Sequence, residues 1–258
     1  MHFEPLYAAS GAAVGFIVGL TGVGGGSLMT PLLVLLFGVH PATAVGTDLL
    51  YAAVTKSAGS LVHNLDDNVD WRVVRRLAAG SAPAAAATIL FMSRAGIDSS
   101  HMSRLIGLVL GVALLLTSGS ILARPLLLRL RERRGEMSDR ALCAATVALG
   151  AVIGVLVSIS SVGAGAIGVT ALLLLYPRMS TVRIVGTDVA HAVPLTLIAG
   201  LGHWIVGSVD PSMLLSLLTG SIPGIVLGAR LAPRVREPAL RFLLAAVLIL
   251  VGGRMVAV

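Results

Sequence analysis

Residues 20–31 read L-T-G-V-G-G-G-S-L-M-T-P, and they lie inside a stretch, residues 5–39, that has no charged residue. Glycine lowers helix stability, so the run at residues 22–26 is expected to break the stretch into two helices. Helices on either side would be about 24 and 17 Å long, which is short for a hydrocarbon layer of about 30 Å. The stretch is therefore predicted to enter and leave the membrane on one side, as a re-entrant helical hairpin.

The composition around this stretch is that of a membrane protein. Of the 258 residues, 56% are hydrophobic and 12% are charged, and the mean hydropathy is +0.96. The net charge of +7 would suit a nucleic-acid-binding protein, but the arginines flank apolar stretches long enough to cross a bilayer, where cationic residues mark cytoplasmic loops. The composition excludes an ordinary soluble domain, and nucleic-acid binding is not expected.

The sequence also repeats itself. The motif V-G-T-D at residues 45–48 recurs at residues 185–188. An offset one residue shorter pairs the stretch 5–39 with a second glycine-containing stretch, residues 141–177. Further matches at the first offset are His63 with His203, Asp70 with Asp210, and Gly80-Ser81 with Gly220-Ser221. A duplication is the simplest explanation.

Each half is predicted to contain one hairpin and three transmembrane helices, which makes the chain an all-α polytopic membrane protein. The first repeat, residues 1–123, comprises hairpin 5–39 and spans 42–62, 73–92 and 105–123. A cytoplasmic linker, residues 124–140, follows. The second repeat, residues 141–258, comprises hairpin 141–177 and spans 184–206, 211–229 and 238–257. The linker is expected to form a short helix on the membrane surface, and Ser138 or Asp139 is expected to cap the next helix.

The arginines favour the hairpin interpretation. If residues 141–177 are re-entrant, most of the basic loops lie on the cytoplasmic side, and only Arg94, Arg104 and Arg254 lie outside. If residues 141–177 crossed once, the basic loops of the second half would lie outside instead. A hairpin plus three crossings is an odd number, so the second half enters from the opposite face. The result is an inverted repeat, a recurring transporter design, with both termini periplasmic.

In an inverted repeat the two glycine-rich tips approach the middle of the bilayer from opposite sides. Each tip presents the amino end of a half-helix, whose unpaired N–H groups and partial positive charge favour an anion. Irregular backbone at this depth is expected to line a cavity, although close helix packing is an alternative role for the glycines. The residues predicted to bind substrate in this way are Thr21, Gly22, Gly24, Gly25, Gly26, Ser27, Ser160, Ser161, Gly163 and Gly165.

Three ionisable residues, Asp48, Lys56 and Asp188, lie inside predicted spans. Such groups cost several kcal/mol unless they are paired or hydrated, so each is a functional candidate. Lys56, the only lysine, is predicted to help bind the anion, and the aspartates are assigned to coupling or gating; alternatively, the aspartates hydrogen-bond free N–H groups at the hairpin bases. Coupling or gating is also predicted for Thr47, Thr187, His191, His63 and His203. For the histidines, proton relay competes with interfacial packing.

These motifs resemble those of the TauE/SafE sulfite exporter family. The resemblance lies in the L-T-G-V-G-G-G-S-L-M-T-P hairpin, the A-T-A-V-G-T-D start of the next span and their second-half counterparts, and it covers essentially the whole chain. It implies a bacterial-type inner-membrane permease for sulfite, sulfoacetate or other organosulfonates. The second tip reads S-V-G-A-G rather than G-V-G-G-G, so the two tips need not bind alike.

The predicted function is therefore an inner-membrane exporter of small sulfur-containing oxyanions that works by alternating access. No enzyme activity, cofactor or metal is expected; the expected partners are a small anionic substrate and the lipid bilayer, with a homodimer left open. An anion channel and a non-transporting assembly subunit remain alternatives. An intramembrane aspartyl protease would require Asp48 and Asp188 to share a proton at about 3 Å, which an inverted repeat disfavours.

Overall fold

The computed structural model describes residues 4–21, 26–94, 99–131, 137–163, 165–231 and 237–257, and all regular secondary structure in these ranges is helical. The helices are α1 (Pro5–Thr21), α2 (Gly26–Leu35), α3 (Pro41–Leu65), α4 (Trp71–Arg94), α5 (Ser99–Arg131), α6 (Asp139–Ser160), α7 (Ala166–Leu175), α8 (Thr181–Ile205), α9 (Pro211–Leu231) and α10 (Glu237–Ala257). The predicted all-α class is thus confirmed for the described residues.

Each glycine-rich segment separates a longer helix from a short one. Helix α1 has 17 residues and α2 has 10, whereas α6 has 22 and α7 has 10. At 1.5 Å per residue α6 is about 33 Å long, so it is long enough to cross a hydrocarbon layer, unlike α2 and α7. As predicted, Ser138 caps α6: its hydroxyl accepts a hydrogen bond from the backbone N–H of Ala141 at 3.4 Å.

Helix α5 is longer than the predicted span at residues 105–123. Helix α5 does not end at residue 123 but continues to Arg131, so the first part of the linker extends a transmembrane-type helix rather than forming a separate surface helix. The residues concerned are mostly leucine and arginine, which are both strong helix formers, so nothing in this segment ends the helix. With 33 residues, α5 is about 50 Å long and exceeds the hydrocarbon thickness.

Helices of the two halves pack in reciprocal pairs: α1 lies against α9 and α6 against α4, while α3 lies against α8 and α5 against α10. Glycines allow the closest of these approaches. A Cβ on Gly220 would collide with the backbone carbonyl of Ala8, and one on Gly80 would collide with that of Val147. These two contacts occupy equivalent positions of the repeat, as do the next ones along the same helices.

The distribution of side chains is that of a membrane protein. Large apolar side chains such as Leu36, Ile205 and Phe242 are exposed on the outside, whereas Asp48 and Lys56 are buried. Four helical segments within the described residues are long and apolar enough to cross a membrane: Ser100–Arg124, Asp139–Ser160, Thr181–Ile205 and Pro211–Gly228. The chain is a multi-pass membrane protein in which Asp48 and Lys56 are enclosed by helices.

Candidate functional site

Three charged residues form the buried charged group of this protein, namely Asp48 and Lys56 on α3 and Asp188 on α8. Their exposed fractions are 0%, 8% and 2%. The Lys56 ammonium interacts electrostatically with both carboxylates, more strongly with Asp188 than with Asp48. Buried charges are stable only when they are compensated in this way. The structure therefore brings together the three ionisable residues that the sequence singled out, and it draws them from both halves.

Asp48 has hydroxyl groups on two sides. Its Oδ2 accepts a short hydrogen bond from the hydroxyl of Thr30 on α2. The Ser161 hydroxyl, just past the end of α6, is close enough to Asp48 to interact with it. Yet within the described residues neither Asp48 Oδ1 nor Ser161 Oγ has a hydrogen-bond partner. Buried polar atoms are nearly always paired, so these two atoms mark a place where a proton, an ion or a polar ligand would be stabilised.

Asp188 lies against the short helix of the second hairpin. Its Oδ1 is so close to Gly168 on α7 that a Cβ at this position would collide with it, and Oδ1 has no hydrogen-bond partner among the described residues. Each aspartate therefore contacts the short helix of its own hairpin, Asp48 through Thr30 and Asp188 through Gly168. Gly168 lies in the first turn of α7, where the partial positive charge of the helix stabilises a carboxylate, whereas Thr30 lies midway along α2.

Two hydroxyl-bonded pairs flank the buried charged group. Tyr51 Oη on α3 is 2.5 Å from Ser221 Oγ on α9, and His191 Nε2 on α8 is 2.8 Å from Ser81 Oγ on α4. These residues occupy equivalent positions of the repeat, so tyrosine in the first half corresponds to histidine in the second. The other ring nitrogen of His191, Nδ1, is buried without a partner in the described part of the chain.

The threonines of the repeated V-G-T-D motif join the two halves. Thr47 Oγ1 accepts a hydrogen bond from the backbone N–H of Asp210 at 3.1 Å, and Thr187 Oγ1 accepts one from that of Asp70 at 2.9 Å. Both threonines are fully buried. Each hydroxyl therefore binds the start of a helix in the opposite half, which gives these threonines a role in fixing the halves together.

The two repeated histidines lie opposite glycines of the same motif. The Cβ atoms of His203 and His63 approach Gly46 and Gly186, respectively. The His203 ring is buried, and its Nε2–H donates a hydrogen bond to the carbonyl oxygen of Ser158 at 2.9 Å. His203 thus links α8 to the last turn of α6.

The predicted hairpin tips are only partly within the described residues. Gly22, Gly24 and Gly25 lie outside them. Gly26 begins α2, and Thr21 ends α1. Ser27 follows in α2, and for these three positions only the backbone is described.

In the second tip, the hydroxyl of Ser160 is occupied by its own helix. It donates to the carbonyl oxygen of Leu156 at 2.7 Å and accepts from the backbone N–H of Val162 at 3.2 Å. Ser161 adopts a left-handed conformation with φ 59°, and Gly163 and Gly165 have φ values of 124° and 134°. Such values favour glycine, so the S-V-G-A-G sequence permits a sharp turn before α7. Of the two predicted serines, Ser161 is the one whose hydroxyl faces the buried charged group.

A cavity of about 660 Å³ lies at the base of the second hairpin, where α6 begins and α7 ends. Its wall carries charged residues whose ion pairs the sequence did not predict. Arg183 and Asp70, which both line the cavity, are 3.8 Å apart. Asp139, also in the wall, is 3.9 Å from the guanidinium of Arg76, which does not line the cavity. Tyr176 Oη, also in the wall, is 2.8 Å from Thr146 Oγ1.

The base of the first hairpin is packed differently. There Tyr7 and Phe37, which are equivalent to Thr146 and Tyr176 in the repeat, form a ring–ring contact with centroids 4.9 Å apart. An aromatic contact therefore lies at one hairpin base and a cavity beside the other. Within the described residues, no group of three or more His, Cys, Asp and Glu side chains could hold a metal ion.

An apolar exterior, helices interrupted at membrane depth and a charged group buried between two halves define a polytopic membrane transporter. Residues 7–255 match the sulfite exporter TauE/SafE family, and the chain belongs to this family. The predicted family resemblance is thus confirmed.

The chain is 38% identical over 251 residues to the probable membrane transporter protein YjnA of Bacillus subtilis, covering 95% of this chain and 97% of that protein. It is 30% identical to a probable membrane transporter protein of Xylella fastidiosa, strain Temecula1, covering 88% and 84%. It is 28% identical to the probable membrane transporter protein YdhB of Bacillus subtilis, covering 86% and 89%. No solved structure matches the chain.

Proposed function

We propose that this protein exports small sulfur-containing oxyanions, such as sulfite, sulfoacetate or other organosulfonates, across the inner membrane by alternating access. The observation that carries the proposal is the buried charged group, in which the only lysine interacts electrostatically with carboxylates from both halves. A charge enclosed between two moving halves is a typical arrangement for a transported ion. The substrate class follows the name of the family, sulfite exporter TauE/SafE.

The reciprocal contacts between the halves support an inverted repeat. Gly15 packs on Ser221 in the same way as Gly154 packs on Ser81, because in both cases a Cβ on the glycine would lie 2.9 Å from the serine Cα. Such a correspondence is expected when two like halves are related by a twofold axis. In this proposal the axis lies in the membrane plane, the basic loops are cytoplasmic and both termini are periplasmic.

The anion site in this proposal lies between the hairpin tips and the buried charged group. Helix α7 begins after Gly165 with no side-chain hydrogen bond at its amino end. The N–H of Gly168 already donates to the carbonyl oxygen of Gly163, so the two N–H groups before it, those of Ala166 and Ile167, are the ones that an oxyanion would use. Ser161 adds a hydroxyl and Lys56 adds a positive charge. Together they supply the donors that a sulfite or sulfonate group requires.

The difference between the hairpin bases supports alternating access. The base of the second hairpin has a cavity with arginine in its wall, and at the equivalent place in the first hairpin Tyr7 and Phe37 form a ring–ring contact. In this proposal the protein is open towards the side of the cavity and closed on the other. If the two hairpin bases exchanged their arrangements, the anion site would become accessible from the opposite face of the membrane.

Proteoliposomes test the proposal directly. Purified protein is reconstituted and the flux of sulfite, sulfoacetate and methanesulfonate is measured, with empty liposomes as the baseline. The expected result is saturable flux of at least one of these anions, accelerated when the same anion is present on the opposite side. Flux without such acceleration would favour a channel, and no flux of any of the three would refute the proposal.

A further inference from the structure

The buried charged group contains two carboxylates and one ammonium, so it has one more acid than base. Both acids have an Oδ1 without a hydrogen-bond partner among the described residues, but only Asp48 has a hydroxyl beside it that also lacks one, that of Ser161. Asp188 is also the stronger electrostatic partner of Lys56, so Asp48 is the surplus acid. Asp48 is fully buried. An uncompensated carboxylate is strongly disfavoured in such surroundings, and binding a proton is the usual way in which a buried acid becomes neutral.

The surroundings of Asp48 can accommodate both the ionised and the protonated acid, as a group that takes up and releases a proton requires. On α2 it meets the Thr30 hydroxyl, which is bonded to Oδ2; at the end of α6 it meets the Ser161 hydroxyl. On its own helix it faces Lys56 and Tyr51. The Ser161 hydroxyl can donate to Asp48 Oδ1 when the acid is ionised and accept from it when the acid is protonated, so the two atoms that lack a partner, Asp48 Oδ1 and Ser161 Oγ, can bond to each other in both states.

The other titratable groups around Lys56 belong to α8. Asp188 carries the charge that Lys56 compensates, and His191 also interacts electrostatically with Lys56. The His191 ring is bonded to Ser81 through Nε2. A positive charge on His191 would be repelled by Lys56, so this histidine is a poor competitor for the proton.

An anion changes the charge balance of the group. When it binds near Lys56, it competes with the carboxylates for the same ammonium and with Asp188 for the amino end of α7. The two negative charges nearest to it are then destabilised unless one of them is neutralised. Protonation of Asp48 removes one of them, so anion binding and proton binding favour each other.

We infer that Asp48 is the proton carrier of this transporter and that each anion crosses the membrane together with a proton taken up at Asp48 Oδ1. This inference rests on the proposed transport function and adds the coupling ion to it. The proton comes from water on the side where the anion binds and is released on the opposite side with the anion. Lys56 and Asp188 remain ionised throughout and hold the anion next to the protonated Asp48.

The test uses the full-length protein in liposomes that contain a pH-sensitive dye. Flux of sulfite, sulfoacetate and methanesulfonate is measured together with the internal pH, for the wild type and for Asp48→Asn. The number of protons that an anion itself carries is the same for both proteins. The difference in proton movement per transported anion between the wild type and Asp48→Asn therefore reports on Asp48. The control is Asp66→Asn, at an exposed loop position, and it should behave like the wild type.

The expected result is that wild-type flux is accelerated several-fold by a pH gradient and moves protons with the anion. Asp48→Asn, which imitates the protonated acid, should continue anion exchange across the membrane but lose both effects. Wild-type flux without proton movement would overturn the inference and leave the transport function intact. Proton movement that persists in Asp48→Asn would also overturn it, and absence of all anion flux would overturn both.

If Asp48→Asn is folded but does not exchange anions, proton-coupled flux is measured in Asp48→Glu instead. This variant keeps an acid at a slightly different position, so proton-coupled flux with a shifted pH profile would support the inference. Flux of Asp48→Glu without proton movement, or equal inactivity in a stable protein, would overturn it, because a carboxyl group that carries the proton must restore coupling.

Discussion

The two halves of this protein use the same backbone contacts but different polar side chains. Gly80 and Gly220 make the same close approach to the opposite half, and Thr47 and Thr187 bind the same kind of backbone N–H group. At equivalent positions in the interior, however, Tyr51 corresponds to His191. Packing between the halves therefore stayed alike while the chemistry around the charged group diverged.

This difference separates the roles of the two halves. In the proposed mechanism, the shared backbone geometry lets the halves exchange conformations, which alternating access requires. In the same proposal, the polar interior that differs between the halves lets one aspartate pair with Lys56 while the other takes up a proton. When equivalent positions in the two halves are substituted, the two variants should lose equal stability where the contacts are alike and unequal stability where the contacts differ.

The largest effect is expected for Lys56→Met, because it leaves two buried carboxylates without a cation. Removing one partner of a buried ion pair costs about 3–5 kcal/mol. Thermal unfolding in detergent should show a large loss of stability, and anion flux should fall at least tenfold. Adding Asp188→Asn to Lys56→Met should recover more stability than adding Asp48→Asn. Equal recovery would contradict the unequal pairing of Lys56.

Next in size are Gly80→Val and Gly220→Val, which should destabilise the protein by similar amounts. Each introduces side-chain atoms where the opposite backbone already lies, and overpacking of this kind costs about 3 kcal/mol. The matched control is Gly119→Val, at a helical position with no neighbour within 4 Å, which should change stability by a few tenths of a kcal/mol at most. If only one half were sensitive, the correspondence of the two interfaces would be in error.

A smaller loss is expected for Ser221→Ala and Ser81→Ala, which remove the hydroxyls bonded to Tyr51 and His191. An unpaired buried polar group costs about 1–2 kcal/mol. Tyr51→Phe combined with Ser221→Ala should be less damaging than the sum of the single variants, because neither polar group is then left without a partner. Additive losses in this double-mutant cycle would show that the hydrogen bond contributes nothing.

The smallest effects are expected at the amino ends of α4 and α9, where Asp70 and Asp210 act as caps. The carboxylate of Asp210 accepts hydrogen bonds from Ser212 Oγ at 2.6 Å and from the backbone N–H groups of Ser212 and Met213 at 2.9 and 3.1 Å. Replacing either aspartate with alanine should cost about 1 kcal/mol. The cost at Asp70 includes an exposed ion pair with Arg183, which adds little.

The cap at Asp210 should also depend on pH. Partial burial would raise the pKa of Asp210, but the hydrogen bonds from Ser212 and Met213 outweigh it and hold the pKa below the usual value. A lowered pKa means that the stabilisation is complete above the ordinary carboxyl pKa of about 3.9 and is lost as the pH falls through the folded value. The difference in melting temperature between wild type and Asp210→Ala should therefore shrink only in acid. A difference that is the same at all pH values would exclude the carboxylate as its source.

Local sequence was sufficient for much of the fold. The glycine-rich stretches predicted helix breaks, Ser138 was predicted as a cap, and the apolar composition predicted helices throughout. These properties depend on residues that are neighbours in the chain. The end of α5 was missed because the polar residues after residue 123 are also good helix formers, so polarity and helix propensity pointed to different boundaries.

The sequence by itself determined that this protein is a helical membrane protein with a repeated motif and three ionisable residues inside apolar segments. Only the tertiary structure decided that these three residues interact with one another, that Tyr51 and His191 bind serines of the opposite half, and that Thr47 and Thr187 fix the halves together. The reason is physical: helix formation depends on local propensity and hydrophobicity, whereas the partner of a buried side chain depends on how residues more than a hundred positions apart are packed.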